Sequence, residues 1–86
     1  MNEPCFGLYR GIVTDNDDPD DMMRIMVQIP ALFGEQEKGW VLPCVPPGVT
    51  SIPKIGTVVW IGFEAGNLSR PIWIGTLGGF KKDQKL

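Results

Sequence analysis

Carboxylates are the side chains of this sequence best able to do chemistry, and five of them lie within residues 15–21. A cluster of this kind suggests a calcium loop. The EF-hand pattern needs Gly at its sixth position and Glu at its twelfth, where this segment, counted from its first aspartate, has Asp and Met. The pattern fails, so we expect a solvated loop. Asp15, Asp17 and Asp18 remain a candidate electrostatic contact for a basic partner.

Two pairs of carboxylates invite comparison with the acid and base of a glycosidase. They are Glu35 with Glu37, and Asp18 with Glu64. That chemistry needs a cleft with a defined carboxylate spacing and one raised pKa. Carboxylates in the loops of so short a chain are more often solvated than catalytic. We therefore expect no catalytic residue and no enzymatic activity.

The sequence of 86 residues contains no histidine and only two cysteines, Cys5 and Cys44. The absence of histidine excludes the Ser-His-Asp and Cys-His nucleophiles and the usual zinc sites. One disulfide is conceivable, but we expect two reduced and mostly buried thiols. No metal site and no cofactor are expected.

Five short apolar segments separated by turns are predicted to form strands. They span residues 8–14, 24–29, 40–45, 57–63 and 71–75. The second has the clearest alternation, which predicts that Ile25, Val27 and Ile29 face a core. Pro43 indicates an edge or a bulge in the third, and Gly11 a bulge or sharp bend in the first.

The segment 56–75 is the most apolar part of the chain and reads as a hairpin with a long loop. Alternation places Val58 and Trp60 on one face of its first strand. It places Val59, Ile61 and Phe63 on the other, so both faces are apolar. A barrel interior can cover only one of them. The other face is therefore expected to lie under a loop or against another protein.

Eleven glycines, eight prolines and the lack of any long helical segment indicate an all-β fold. Five strands in so short a chain favour a small closed five-stranded barrel, most often the OB-fold, with an SH3-like barrel as the competitor. We expect a single domain over residues 1–86, ordered from about 7 to 79, with residues 80–86 as a tail. No membrane anchor or signal peptide is evident, so synthesis in the cytosol is expected.

Six segments, in this order and spacing, also carry a family resemblance that spans most of the chain. They are Tyr9-Arg-Gly-Ile-Val-Thr14, Asp18-Pro19, Arg24-Ile-Met-Val-Gln-Ile-Pro30, Gly39-Trp-Val-Leu-Pro-Cys-Val45, Pro53-Lys-Ile-Gly-Thr-Val-Val-Trp-Ile-Gly-Phe-Glu64 and Arg70-Pro-Ile-Trp-Ile-Gly-Thr76. The chain resembles the OB-fold domain of phage baseplate hub and central spike proteins: the baseplate assembly protein V family and the spikes of type VI secretion. It departs from them at Met23, where the family usually has Gly before the arginine of the second strand.

The resemblance implies a non-enzymatic structural component of a phage tail or related contractile injection system. Such a component would form a homotrimer that joins the hub to the spike tip, in a virion tail assembled in the host cytoplasm. Its partners would be the hub and the tail or spike-tip proteins. The family's lysozyme and needle domains have no counterpart among these residues, so no puncturing or cell-wall activity is implied.

The aromatic residues exceed what a small barrel interior needs, and we assign the surplus to a protein interface. The candidate residues are Trp40, Trp60, Phe63, Trp73 and Arg70, and at least one of the three tryptophans should be buried only in the assembly. The alternative is an OB-fold module that binds single-stranded nucleic acid or an oligosaccharide. A net charge of −2 and scattered cations argue against nucleic acid as a partner.

Overall fold

The fold is a barrel of five strands, seen in a computed structural model that describes residues 4–77. Short apolar runs broken by Gly and Pro favour strands over helices, and one helical turn and one 3-10 turn interrupt them. The elements in chain order are β1 Tyr9–Asp15, β2 Ile25–Gln28, α1 Pro30–Phe33, β3 Glu37–Pro43, β4 Val58–Phe63, the 3-10 turn Glu64–Gly66, and β5 Pro71–Thr76.

The strands close on themselves in the order β1-β2-β3-β5-β4, with β4 pairing back to β1. All pairings are antiparallel except that of β3 with β5, where Leu42 lies opposite Ile72. The pairing continues for one residue beyond β3, because the Cys44 amide donates to the Trp73 carbonyl at 2.8 Å. The predicted all-β, five-stranded barrel is confirmed.

One face of each strand fills the interior. Ile25, Val27 and Ile29 are fully buried, as the alternation of the second strand predicts. The remaining buried apolar residues come from the other strands: Val13, Val41, Val59, Ile61, Phe63 and Trp73. Each strand thus contributes to a single core.

The third strand begins at Glu37, three residues before the predicted start at 40. The first residues of this strand are polar, and their side chains lie at or near the surface. Their backbones nevertheless pair with β2, with Glu37 opposite Gln28 and Lys38 opposite Val27. Apolar content therefore marks the buried part of this strand and misses its paired but solvated beginning.

Gly11 lies in β1 for a reason other than the predicted bulge or bend. A Cβ built there would lie 2.8 Å from Cγ1 of Ile61 on the neighbouring strand β4, so the glycine leaves room for the Ile61 side chain on the core side. The irregularity in the pairing of β1 with β2 falls between Val13 and Asp15 instead.

The two cysteines are not bonded to each other. Cys5 is half-buried and packs beside the core, whereas Cys44 is exposed, so the expectation of mostly buried thiols is wrong for Cys44. Within residues 4–77, no helix has the length and apolar character needed to cross a membrane. The predicted end of order at residue 79 and the tail at 80–86 lie outside the described residues.

Candidate protein-binding surface

The outward face of β4 is apolar, as the sequence predicts. Val59, Ile61 and Phe63 are buried inside, whereas Val58 and Trp60 are half-buried and point away from the core. The barrel interior therefore leaves one apolar face of this strand to be covered from outside.

The neighbouring strand β1 extends this face. Gly11 and Val13 are buried, so by alternation Arg10 and Ile12 point outward, where Arg10 lies opposite Trp60 and Ile12 opposite Val58. Together with Leu8, Tyr9, Pro30 and Ala31, these residues line an open groove of about 480 Å³. We call it the β1–β4 groove.

Gly62 lies at the centre of the outward side of β4 and carries no side chain of its own. Side chains from both neighbouring strands approach the position of its missing Cβ: Ile74 Cδ1 at 3.5 Å, Leu8 Cδ2 at 3.6 Å and Ile72 Cγ1 at 3.8 Å. Ile72 in turn lies opposite Leu42 of β3. The apolar surface is therefore continuous across four strands.

We call this surface the outer apolar face. Its members are Leu8, Ile12, Leu42, Val58, Trp60, Ile72 and Ile74. Leu8 is 56% exposed, Leu42 47% and Ile74 39% in the isolated chain. Side chains of this size and exposure, arranged side by side, are typical of a surface that binds another protein.

Trp40 lies beside the β3 end of the outer apolar face. With Leu42 and Ile72 it lines a second shallow groove, of about 260 Å³, that also contains Glu64 and Arg70. Arg70 Nη1 lies 3.7 Å from Glu64 Oε1, and both side chains are largely exposed. Trp40, Trp60 and Arg70 are thus the predicted interface residues that the structure places on accessible surface.

Trp73 and Phe63 are core residues in the isolated chain, with 2% and 8% exposure. The indole Nε1 of Trp73 donates to the Met23 carbonyl at 3.1 Å, which satisfies its polar atom inside the protein. Phe63 packs edge-to-face on Tyr9, with ring centroids 5.8 Å apart. The expectation that Trp73 is a surface anchor is therefore corrected: its ring stabilises the fold.

Asp18 is buried rather than solvated, with 2% of its side chain exposed. Its carboxylate accepts hydrogen bonds from the backbone amides of Asp20, Met22 and Arg24 at 2.9–3.1 Å. It also accepts two from the Arg24 guanidinium, through Nε at 2.9 Å and Nη2 at 2.8 Å. Asp18 therefore shapes the loop from inside and is not available to a partner, whereas Asp15 is half-buried and Asp17 exposed.

Electrostatics follow from this geometry. The hydrogen bond with Arg24, supported by the backbone amides and opposed by burial, holds the pKa of Asp18 well below its usual range. The same contact raises the pKa of Arg24. At the other end of β1, burial and the neighbouring Cys5 thiol raise the pKa of Tyr9.

Met23 adopts a positive φ of 61°, a conformation that glycine occupies with less strain. The resemblance predicts Gly at this position, and the positive φ that Met23 adopts is a conformation that Gly favours. The Met23 side chain packs beside the core, which offsets part of the cost.

Sequence reasoning missed part of the surface. Leu8, Ile12 and Ile74 were not singled out. The outward direction of Ile74 does not follow from alternation, because its strand is apolar on both sides. The position of Arg10 over the Trp60 ring, with Cζ 5.7 Å from the ring centroid, depends on cross-strand register and has no marker in the sequence.

Among residues 4–77, no group of three or more His, Cys, Asp or Glu side chains is placed to hold a metal ion. Glu35 and Glu37 are exposed, and Asp18 is committed to Arg24. The arrangement offers an apolar face with cations at its edges.

Residues 9–77 of the chain match the family of the type VI secretion system/phage-baseplate injector OB domain. The chain belongs to this family. The matched residues begin with β1 and end just beyond β5, so the family domain is the barrel itself, and the barrel is an OB-fold. Its role is that of a structural baseplate-type domain, in a phage tail or a secretion machine. Among curated proteins, no match to the chain was found.

Proposed function

We propose that this injector OB domain is a non-enzymatic part of a phage tail baseplate, where three copies form a ring that joins the hub to the spike tip. Its neighbours in the virion tail would be the hub above and the tip-forming protein below, with assembly in the host cytoplasm. The partners are proteins, and nucleic acid is not among them.

The observation that carries this proposal is the outer apolar face, continuous across β1, β4, β5 and β3. A barrel closed on itself has no free sheet edge to offer a partner, so association must use side chains on its outer surface. Half-buried Trp60 and Trp40, flanked by exposed leucines and isoleucine, have the composition of binding hot spots.

A ring that joins two different proteins needs more than one contact surface on each copy. The β1–β4 groove and the Trp40 groove lie on different strand pairs of the barrel, so one copy can contact two neighbours at once. The exposed Asp17 and half-buried Asp15 remain a proposed contact for a basic partner, whereas Asp18 acts only within its own loop.

The test is co-purification of the chain with the tail proteins encoded beside it, followed by mass measurement of the complex in solution. We expect three copies per complex. Trp60→Ala and Trp40→Ala should each weaken association by tenfold or more, about the loss of 1.4 kcal/mol or greater that marks a hot spot.

Ile55→Ala is the matched control, because Ile55 is 63% exposed yet lies on the β3–β4 loop outside the outer apolar face. Circular dichroism of each variant checks that the barrel remains folded. If both tryptophan variants stay folded and bind like the wild type, the outer apolar face is not the interface and the proposal is wrong.

A further inference from the structure

We infer that the β1–β4 groove binds an apolar segment of a neighbouring injector protein whose carboxylate pairs with Arg10. The choice of partner rests on the proposed function, but the chemistry of the groove is argued from its own residues. Within the outer apolar face, the β1–β4 groove therefore prefers an apolar segment that carries a carboxylate.

The groove combines an apolar lining with one cation. Seven of the residues that line it carry no charged group: Leu8, Tyr9, Ile12, Pro30, Ala31, Val58 and Trp60. Arg10 is the charged residue among the lining side chains. A segment that fills the groove therefore meets hydrocarbon and an aromatic ring over most of its length, and a guanidinium at one point.

Arg10 lies beside Trp60 and lacks a carboxylate partner within the described residues. Its guanidinium lies over the Trp60 ring, with Cζ 5.7 Å from the ring centroid, so the cation and the ring belong to the same part of the groove. In residues 4–77, the ion pairs join Arg24 to Asp18 and Asp20, and Arg70 to Glu64. The Trp40 groove thus carries its own carboxylate beside its cation, whereas the β1–β4 groove does not.

Three kinds of ligand could occupy the groove, and their charges decide which one fits it best. A nucleic acid brings a phosphate with each nucleotide and needs a row of cations, while this groove has one. The chain's own residues 80–86 carry three lysines and one aspartate, which would place net positive charge beside Arg10. A protein segment with one acidic side chain among apolar ones matches both parts of the groove.

The experiment measures this preference with three probes: the peptide acetyl-Leu-Phe-Asp-Leu-amide and its counterparts with Asn or Lys in place of Asp. Each is titrated into the 15N-labelled 86-residue chain, and binding is followed at the Trp60 indole N–H signal, which Trp60→Phe identifies. We expect the Asp peptide to bind about three- to fivefold more tightly than the Asn peptide, the range of a partly exposed ion pair. The Lys peptide should bind most weakly.

Arg10→Gln should abolish the preference for Asp over Asn, so that the two peptides bind the variant equally. Arg70→Gln is the matched control, because it removes an exposed arginine from the other groove and should leave the preference intact. Equal binding of all three peptides, or shifts at Trp40 in place of Trp60, would overturn the inference.

Two further outcomes would also overturn it. Tighter binding of oligo(dT) than of the Asp peptide would assign the groove to single-stranded nucleic acid. Self-association of the chain that Arg10→Gln removes would assign it to a second copy. Because the peptide titration uses no tail protein, it can fail while the co-purification succeeds, and the reverse also holds.

Discussion

At the scale of single residues, Asp18 organises the acidic segment that follows β1. Three backbone amides and one guanidinium converge on its carboxylate, so the loop closes around one buried anion. Arg24 also reaches Asp20 at 2.9 Å, which ties the exposed side of the loop to the start of β2. The remaining aspartates of the segment are left at the surface.

Asp18→Asn should lower the Tm at neutral pH, because it replaces a charged acceptor of five hydrogen bonds by an amide with one acceptor oxygen. The pKa of Asp18 is depressed in the folded state, so its contribution to stability is complete above the ordinary aspartate pKa of about 4. It is lost as the pH falls below that value.

The measurement is thermal unfolding of wild type and variant from neutral to acidic pH. The difference in Tm should shrink as the pH falls below about 4. Asp17→Asn, at the exposed position directly before Asp18, should have the same Tm as the wild type at every pH. A constant difference between Asp18→Asn and wild type down to low pH would contradict the assignment.

Ala65 adopts a φ of 52° in the turn after β4, a conformation that costs an L-residue energy and glycine little. Ala65→Gly should therefore raise the free energy of unfolding by about 0.5–1 kcal/mol, as measured by urea denaturation. Ala31→Gly, at an exposed helical position with ordinary φ, should lower it by a similar amount. Destabilisation by both substitutions would show that the turn is not strained.

At the scale of elements, β1 and β4 are paired neighbours in the barrel, and Ile61 of β4 occupies the space that a side chain at Gly11 would need. Glycine at this point of β1 leaves that space on the core side to Ile61. Gly62, on the outward side of β4, faces side chains at ordinary van der Waals distance. Gly11 therefore avoids a clash in the core, whereas a side chain at Gly62 would meet no clash.

Gly11→Ala should lower the free energy of unfolding by about 1–3 kcal/mol, because the new methyl group would overlap Ile61 in a filled core. Gly62→Ala should change it by no more than about 0.5 kcal/mol, since its methyl group meets no atom closer than 3.5 Å. Chemical denaturation of the two variants compares them directly. Equal losses would mean that the approach of β1 to β4 is not tight.

Alternation in the sequence was sufficient to predict the strands whose faces differ in polarity. Ile25, Val27 and Ile29 alternate along the strand with residues that are polar or half-buried. Because side chains on a strand alternate between its two faces, this pattern places all three on the inner face. Trp73 was misplaced because its strand has apolar residues on both sides, and alternation alone gives no sign of which side is inside. The hydrogen bond from its indole to Met23, fifty residues away, decides the matter in the fold.

The acidic segment shows the same limit in another form. Five aspartates in a row of seven residues look equivalent in the sequence, and composition predicts that all are solvated. Which one is buried depends on where Arg24 and the turning backbone bring their donors. Such convergence of groups is a property of the folded loop and has no local marker.

At the scale of the whole molecule, the chain is a closed barrel whose interior is filled and whose outer surface is apolar over four strands. Among residues 4–77, no group of three or more His, Cys, Asp or Glu side chains is placed to hold a metal ion. A closed barrel with an apolar outer surface suits a structural domain of a baseplate or secretion machine.

Removal of metals with EDTA should leave the Tm unchanged, because neither the core nor the acidic loop provides a metal site among the described residues. The purified protein should also fail to clear cell-wall peptidoglycan. Both assays use the wild-type chain, with lysozyme as the positive control for clearing. A drop of many degrees in Tm with EDTA, restored by calcium, would contradict the first expectation, and clearing of peptidoglycan would contradict the second.

The parallel pairing of β3 with β5 also governs how quickly each molecule acquires its fold. Leu42 meets Ile72, and Tyr9 meets Ile61, so the barrel closes only through contacts between distant parts of the chain. Folding dominated by such contacts takes milliseconds to seconds. Synthesis of the chain from β2 to the end of β5 takes about 2–10 s at ordinary rates of translation. Ile25 and Val27 therefore stay without their full cover at least until β5 has been synthesised.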